Sequence, residues 1–190
     1  WVDDLDAADQ PPVPIVPFAE VVQDRLGMEI MRGCTQGCRF CQAGMITRPV
    51  RERDASTLVQ AAAEGIADSG YAEVSLLSLS TSDYTGLGAT VAGIQDGVER
   101  RHTNLVLPSL RMDSLDAELH ARIGRERPAS VTFAPEAGTQ RLRDVINKQI
   151  DDGEILGAAE KAFQSGVKRI KLYFMLGLPT ETNEDLDGIV

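Results

Sequence analysis

Residues 29–42 read E-I-M-R-G-C-T-Q-G-C-R-F-C-Q and hold every cysteine of the chain: Cys34, Cys38 and Cys41. The spacing C-x3-C-x2-C lets a single loop wrap one metal centre. Thiolates are soft, charge-donating ligands, and iron–sulfur clusters are built on them. A cubane has four irons, so three thiolates leave one iron without a protein ligand. Such an iron can bind a small molecule and do chemistry on it, whereas a four-cysteine set closes the site.

Two other readings of the thiols stand beside this one. A disulfide with one spare thiol suits the short spacings and odd count poorly, and nothing in the sequence points to secretion. A structural zinc site needs a fourth ligand, for which His102 and His120 are the histidines on offer, both more than sixty residues away. His102 precedes a strand and His120 sits in a polar helix, so both read as surface residues.

At 190 residues, with 43% hydrophobic and 25% charged residues, the chain has the size and composition of a soluble domain with a proper core. A net charge of −10 argues against nucleic-acid binding by this segment over a broad basic face. The charge is uneven, however. Arg32, Arg39, Arg48, Arg51 and Arg53 cluster around the cysteines with Glu52 as the one acid among them. This run could draw in an anionic substrate, offset a thiolate-rich cluster, or be an ordinary solvated face. No run of 18 apolar residues suggests a membrane span and no signal-peptide pattern opens the chain, so a cytoplasmic location is expected.

Outward from the cysteines, the pattern alternates strand and helix. Residues 18–31, F-A-E-V-V-Q-D-R-L-G-M-E-I-M, read as a β-hairpin turning near Arg25 to Gly27. A helix capped by Asp54 or Ser56 should carry Leu58, Val59, Ala62 and Ile66 on one stripe and stop at Gly70. Strands are expected to start near residues 28, 73, 104, 130 and 168. Helices should span roughly 89–101, 114–124 and 140–147. Asp151 with Glu154 forms a capping-box pattern for a helix ending at Gly166, and Thr180 or Thr182 should cap a last one. Strand–helix alternation implies βαβ units with parallel strands, whose sites lie at the C-terminal strand ends. The cysteines follow the first strand, at that end.

The ends suggest a piece of a longer chain: Trp1 is not an initiator, and T-E-T-N-E-D-L-D-G-I-V stops where a helix should be getting under way. Residues 1–17, acidic and then proline-rich, read as a linker from an upstream domain. Residues 18–190 read as the core, incomplete at its C-terminus.

The cysteine spacing with Phe40 before the last thiol resembles the radical SAM superfamily. So do E-I-M-R-G-C, L-L-S-L-S-T-S-D-Y and A-P-E-A-G-T-Q-R-L-R, which are similar to the branch holding tRNA methylthiotransferases and proteins with a cobalamin-binding-type domain. The resemblance runs from about Val16 to Val190. It implies a parallel partial (β/α)6 TIM-like barrel, here truncated after the fifth strand, which would leave that strand as an open edge. It implies Cys34, Cys38 and Cys41 as ligands of a [4Fe–4S] cluster whose open iron chelates S-adenosyl-L-methionine, with Phe40 shielding the cofactor. A flavodoxin- or ferredoxin-type reductant is the implied partner, along with upstream and downstream domains. Cobalamin is a possible further cofactor, through a domain absent from this chain.

The same resemblance suggests cofactor contacts at the strand ends. Ser80, Thr81 and Ser82 stand where the family often has a G-G-E-like stretch for the methionine amine; the departure leaves a simple Ser/Thr turn as the alternative. Arg111 offers a fork suited to the cofactor carboxylate, or is a surface arginine. Glu136 could bond ribose hydroxyls or cap the next helix. Backbone around Leu176 and Gly177 would pair with the base, Gly177 permitting close approach; a strand-ending turn is the alternative.

The expected activity is reductive cleavage of S-adenosylmethionine to a 5′-deoxyadenosyl radical, with substrate unknown. The cluster potential would sit toward the low end of the roughly −700 to +450 mV range of such centres. A tRNA methylthiotransferase, which would need a second cysteine set, and a non-enzymatic zinc or electron-transfer module are the alternatives.

Overall fold

The computed structural model describes residues 2–8, 11, 13–98, 103–108, 111, 131–164 and 166–190. The expected helix at 114–124, His102 and His120 fall outside these. The chain divides into two compact units, residues 1–34 with 47–109, and residues 35–46 with 110–190.

In the first unit, β1 (Leu26–Glu29), β4 (Glu73–Leu77) and β5 (Asn104–Val106) form a parallel sheet in the order β1-β4-β5. Leu26 lies opposite Val74, and Val74 opposite Leu105. A two-residue strand β2 (Met31–Arg32) pairs antiparallel with β3 (Arg51–Glu52). The connection from β3 to β4 is α2 (Ala55–Ser69). The Asp54 carboxylate accepts the Ser56 N–H at 2.8 Å at its start, and Gly70 closes it in the left-handed conformation, donating to Ile66 O. Its stripe of Leu58, Ala62 and Ile66 is buried. Val59 faces Gly93 of α3 (Leu87–Val98), so closely that a methyl group at 93 would meet its Cγ2 at 2.6 Å.

The expected hairpin over 18–31 does not form. Residues 18–25 contain no strand, and β1 pairs in parallel with β4 instead. Phe18 and Val22 are fully exposed, whereas Leu26 and Met28 are buried. Alternation specifies a strand only where one face has something to be buried against, and only the 26–29 stretch has that. The chain before it is also docked in part. Leu5 is wholly buried, and the Asp6 carboxylate accepts the Asp54 N–H at 2.9 Å.

In the second unit, β6 (Val131–Glu136) and β7 (Ile170–Phe174) pair in parallel, Val131 opposite Ile170, with an irregularity between Phe133 and Glu136. Between them in sequence run α4 (Gln140–Val145) and α5 (Asp152–Gln164). The predicted capping box is present: Asp151 accepts the Glu154 N–H at 2.7 Å and Glu154 accepts the Asp151 N–H at 2.8 Å. Val131, Phe133, Ile150, Ala158, Ala162 and Val167 form one core cluster, and Ala137, Leu142, Ile146 and Leu178 a second. The short helices α1 (Gln42–Ile46) and α6 (Asn183–Asp187) are the other helices of this unit among the described residues, α6 opening at Thr182. The chain is therefore α/β with parallel strands. Among the described residues, no helix is long and apolar enough to cross a membrane.

Candidate metal centre

The approach to Cys34 is set within the first unit. Glu29 holds Arg32 by two bonds, 2.8 and 2.6 Å, and that pairing keeps the Glu29 carboxyl below the usual range. Gly33 follows with φ +96°, and a methyl group there would lie 3.0 Å from the carbonyl oxygens of Thr47 and Pro49. Only glycine suits that backbone and that crowding. Arg51 donates to Thr47 O at 2.9 Å and Val2 O at 2.6 Å. Arg53, buried, donates to Glu29 O at 3.1 Å and to Leu5 O. Much of the arginine run thus staples backbone carbonyls, which a charge count alone does not reveal.

Cys38 and Cys41 belong to the second unit, in a loop held by the end of α4. The Arg39 N–H donates to Ile146 O at 2.9 Å, and its guanidinium donates to Asp144 O at 3.3 Å and to Val145 O. These are carbonyls of the last helical turn, where intrahelical partners run out, although Asp144 O also accepts the Asn147 N–H at 3.1 Å. Asn147 donates from its side-chain amide to Gly37 O at 2.8 Å. Cys41 N–H bonds Cys38 O at 3.1 Å, and Cys41 Sγ accepts the Gly44 N–H of α1 at 3.3 Å. Phe40 is 38% exposed.

None of the three cysteines is in a disulfide, and each is half-buried. Among the described residues, no group of three or more His, Cys, Asp or Glu side chains gathers as the ligand set of one metal ion. A cubane binds each thiolate to a different iron, so its ligands need not meet at one point. The donor set suits such a group: three thiols within one loop segment, one already receiving a backbone N–H of the kind that tunes cluster potentials.

At the end of β4, the three hydroxyls differ. Thr81 is fully buried and committed, its hydroxyl donating to Pro108 O at 2.6 Å and meeting Ser78 Oγ at 3.0 Å. It ties the ends of β4 and β5 together. Ser80 is buried, yet its Oγ has no hydrogen-bond partner among the described residues. A buried hydroxyl left unpaired costs free energy, so Ser80 is the hydroxyl at this strand end best suited to a ligand. Ser82 is half-buried in the 3-10 turn Thr81–Asp83.

In the second unit, Glu136 ends β6 with φ +71°, uncommon for a side-chain-bearing residue. Burial pushes its carboxyl above the usual range, against the pull of Lys148, whose Nζ lies 3.6 Å away. Its carbonyl accepts the Met175 N–H at 2.8 Å. Arg111 is half-buried in a loop. Leu176 is 72% exposed, and Gly177, φ +82°, gives its N–H to Glu181 at 2.7 Å. The Gly177 N–H is thus engaged within its own turn.

Asn147, Lys148, Arg143 and Asp185 were not anticipated. Arg143 is buried, donating to Ile150 O at 3.0 Å and Ala137 O at 3.1 Å and pairing with Asp152. Asp185 is buried on Thr139, Arg141 and Thr182. The phrase A-P-E-A-G-T-Q-R-L-R therefore spends its polar residues largely on internal bonding. Asp185 does carry a local signal, the Thr182–Asp185 capping box, whereas nothing local marks Asn147 or Lys148, whose partners Gly37 and Glu136 lie further off.

Comparison with known proteins completes the picture. The chain is 36% identical over 163 residues to "Uncharacterized protein MJ0966" of Methanocaldococcus jannaschii, covering 86% of this chain and 35% of that protein. It is 22% identical over 180 residues to the threonylcarbamoyladenosine tRNA methylthiotransferase MtaB of Chlamydia pneumoniae, covering 87% of this chain and 40% of that one. The chain thus spans well under half the length of either relative. Among solved structures, the cobalamin-dependent S-adenosylmethionine radical enzyme OxsB superposes with a TM-score of 0.68 at 12% identity, covering 86% of this chain and 25% of that one. The radical S-adenosylmethionine methyltransferase TsrM of Kitasatospora setae gives 0.64 at 15%, covering 85% and 32%. At such identities these two speak to the fold alone. The sequence description of the radical SAM superfamily matches residues 28–190, from β1 through the cysteine loop to the last residue, and the chain belongs to that superfamily.

Proposed function

We propose that this chain is the core of a radical SAM enzyme, a partial β/α barrel in which Cys34, Cys38 and Cys41 hold a [4Fe–4S] cluster and S-adenosylmethionine occupies the open iron. The observation that carries the reading is the family match over residues 28–190, which includes all three thiols. Held by Cys34, Cys38 and Cys41, a reduced cluster would supply the one electron for reductive cleavage of S-adenosylmethionine, with methionine and a 5′-deoxyadenosyl radical as the products.

The chain's own part is to bind, orient and shield. Ser80 offers a buried hydroxyl with its bonding capacity unspent. Glu136 offers a carboxyl that burial keeps easier to protonate than usual, suited to bonding with hydroxyls. Phe40 and Leu176 are the exposed apolar side chains that a bound nucleoside would cover. Arg111 would meet the cofactor carboxylate, and Ser82 would add a hydroxyl beside Ser80. A flavodoxin- or ferredoxin-type protein would deliver the electron. Cobalamin would reach the site through a domain outside this chain, a reading supported by the likeness to OxsB and TsrM, both determined with cobalamin.

Anaerobic reconstitution with iron and sulfide tests the proposal. A [4Fe–4S]+ electron paramagnetic resonance signal should change on adding S-adenosylmethionine and vanish in Cys38→Ala. A folded chain that takes up zinc and forms no cluster would overturn it. Methylthiotransfer to tRNA is the second reading, favoured by the likeness to MtaB. It needs a second cluster, so it predicts more irons per full-length protein than the four that these thiols can hold.

A further inference from the structure

The loop bearing Cys38 and Cys41 is fastened from outside itself, by the end of α4 and the turn that follows it. The Ile146 carbonyl accepts the Arg39 N–H at 2.9 Å, and Asn147 donates to Gly37 O at 2.8 Å. The Arg39 guanidinium closes the carbonyls of Asp144 and Val145 just before that turn. Gly37 and Arg39 flank Cys38, so the backbone on both sides of that thiol is tied down. The next residue, Lys148, reaches the other way. Its Nζ lies 3.6 Å from Glu136 Oε1, with the two side chains 13% and 16% exposed, and its N–H donates to Arg143 O at 2.8 Å.

Asn147 adopts φ +55°. Asparagine is among the few side-chain-bearing residues that tolerate this region, and it is a known terminator of helices there. One residue thereby ends α4 and presents an amide to the cysteine loop. The turn is rooted in a core, since Ile146 is buried with Ala137, Leu142 and Leu178.

We propose that the turn Ile146–Lys148 is the positioning element of the cysteine site: Asn147 and the Ile146 carbonyl fix the Cys38–Cys41 loop, Lys148 fixes the Glu136 carboxylate, and the one turn sets the spacing between them. This rests on the reading of Cys38 and Cys41 as cluster ligands. In functional terms, the spacing registers whatever small molecule bonds Glu136 against the metal held by the loop. The residues of the turn are positioning residues, not ligands.

The test compares Asn147→Asp, Asn147→Gly and Lys148→Met in the full chain. Aspartate keeps the size and the left-handed tolerance but has no N–H to donate; glycine keeps the backbone freedom and removes the side chain. In metal-free protein, both Asn147 variants should raise amide hydrogen exchange across residues 35–46 about tenfold while leaving β1 and β4 unchanged. In reconstituted protein, both should shift the line shape of the reduced cluster's paramagnetic resonance signal. Lys148→Met should leave the loop's exchange as it is and require about tenfold more S-adenosylmethionine to perturb that signal. Wild-type exchange in both Asn147 variants would overturn the proposal, as would an unaltered signal from a loosened loop. If the unaltered chain forms no cluster, the proposed function falls, and exchange in the metal-free chain alone upholds or overturns the role of Asn147.

Discussion

The Asn147 side-chain amide meets the Gly37 carbonyl at 2.8 Å across 110 residues of sequence, and a side chain at 37 would crowd that amide. A methyl group at 37 would stand 2.8 Å from Asn147 Nδ2, inside any normal contact between carbon and nitrogen. Gly37→Ala is expected to displace the amide and cost about 1–3 kcal/mol, as overpacking does. Gly157 in α5 has open space around it, and Gly157→Ala should stabilise by about 1 kcal/mol through helix propensity. Urea midpoints of the two variants should move in opposite directions; a shift of the same sign in both would refute the packing argument at 37.

Ser80→Ala is predicted to split stability from binding. Its buried Oγ has no partner among the described residues, so deleting it removes an unpaired polar group. The metal-free chain should be unchanged or up to about 1 kcal/mol more stable. If the hydroxyl meets the cofactor, the same variant should need about tenfold more S-adenosylmethionine, a cost of roughly 1.4 kcal/mol. Loss of stability in the metal-free chain would show that Ser80 already has a structural partner.

Arg143 is among the largest fully buried side chains, and it serves the carbonyls of Ile150 and Ala137 at once. Arg143→Met keeps much of the stem but strands both acceptors. The expected loss is on the order of 2–5 kcal/mol, from about 1–3 per buried group. Thermal unfolding of the variant checks this, and a loss below about 1 kcal/mol would mean water replaces the guanidinium.

Asp185 should make stability depend on acid. The Thr139 hydroxyl and then the Arg141 guanidinium hold its carboxyl well below the ordinary aspartate value of 3.8. A depressed carboxyl contributes in full above that ordinary value, and the contribution drains as the pH falls below it. The difference in urea midpoint between the native chain and Asp185→Asn should therefore be level from about pH 7 to 5 and narrow toward pH 3. A difference that grows on acidification would mean the carboxyl is not ionised in the folded state.

What could be read from the sequence was what is written locally. The caps of α2 at Asp54 and Gly70, the Asp151–Glu154 box and the starts of the parallel strands each depend on residues a few positions apart, and each appears in the structure. The thiol spacing is equally local. The hairpin over 18–31 failed because the face that buries Leu26 and Met28 comes from β4 and α2, far along the chain. The carbonyl partners of the arginine run were hidden for the same reason. A long side chain can reach many carbonyls, and nothing near Arg39 or Arg53 in sequence says that Val145 and Leu5 will supply them. Asn147 carried a weak signal, an asparagine just after a short helix, but its partner at Gly37 could be known only from the fold.

Leu5 bears on where such a protein can be cut. The family match opens at residue 28, yet Leu5 is wholly buried and Arg53 spends its guanidinium on that residue's carbonyl. A chain trimmed to residues 28–190 would lose the buried Leu5 side chain and leave the Arg53 guanidinium with the Glu29 carbonyl but without that of Leu5. The family match begins two residues into β1, so a chain cut there would lose Leu26 and Gly27 of the first sheet as well as Leu5.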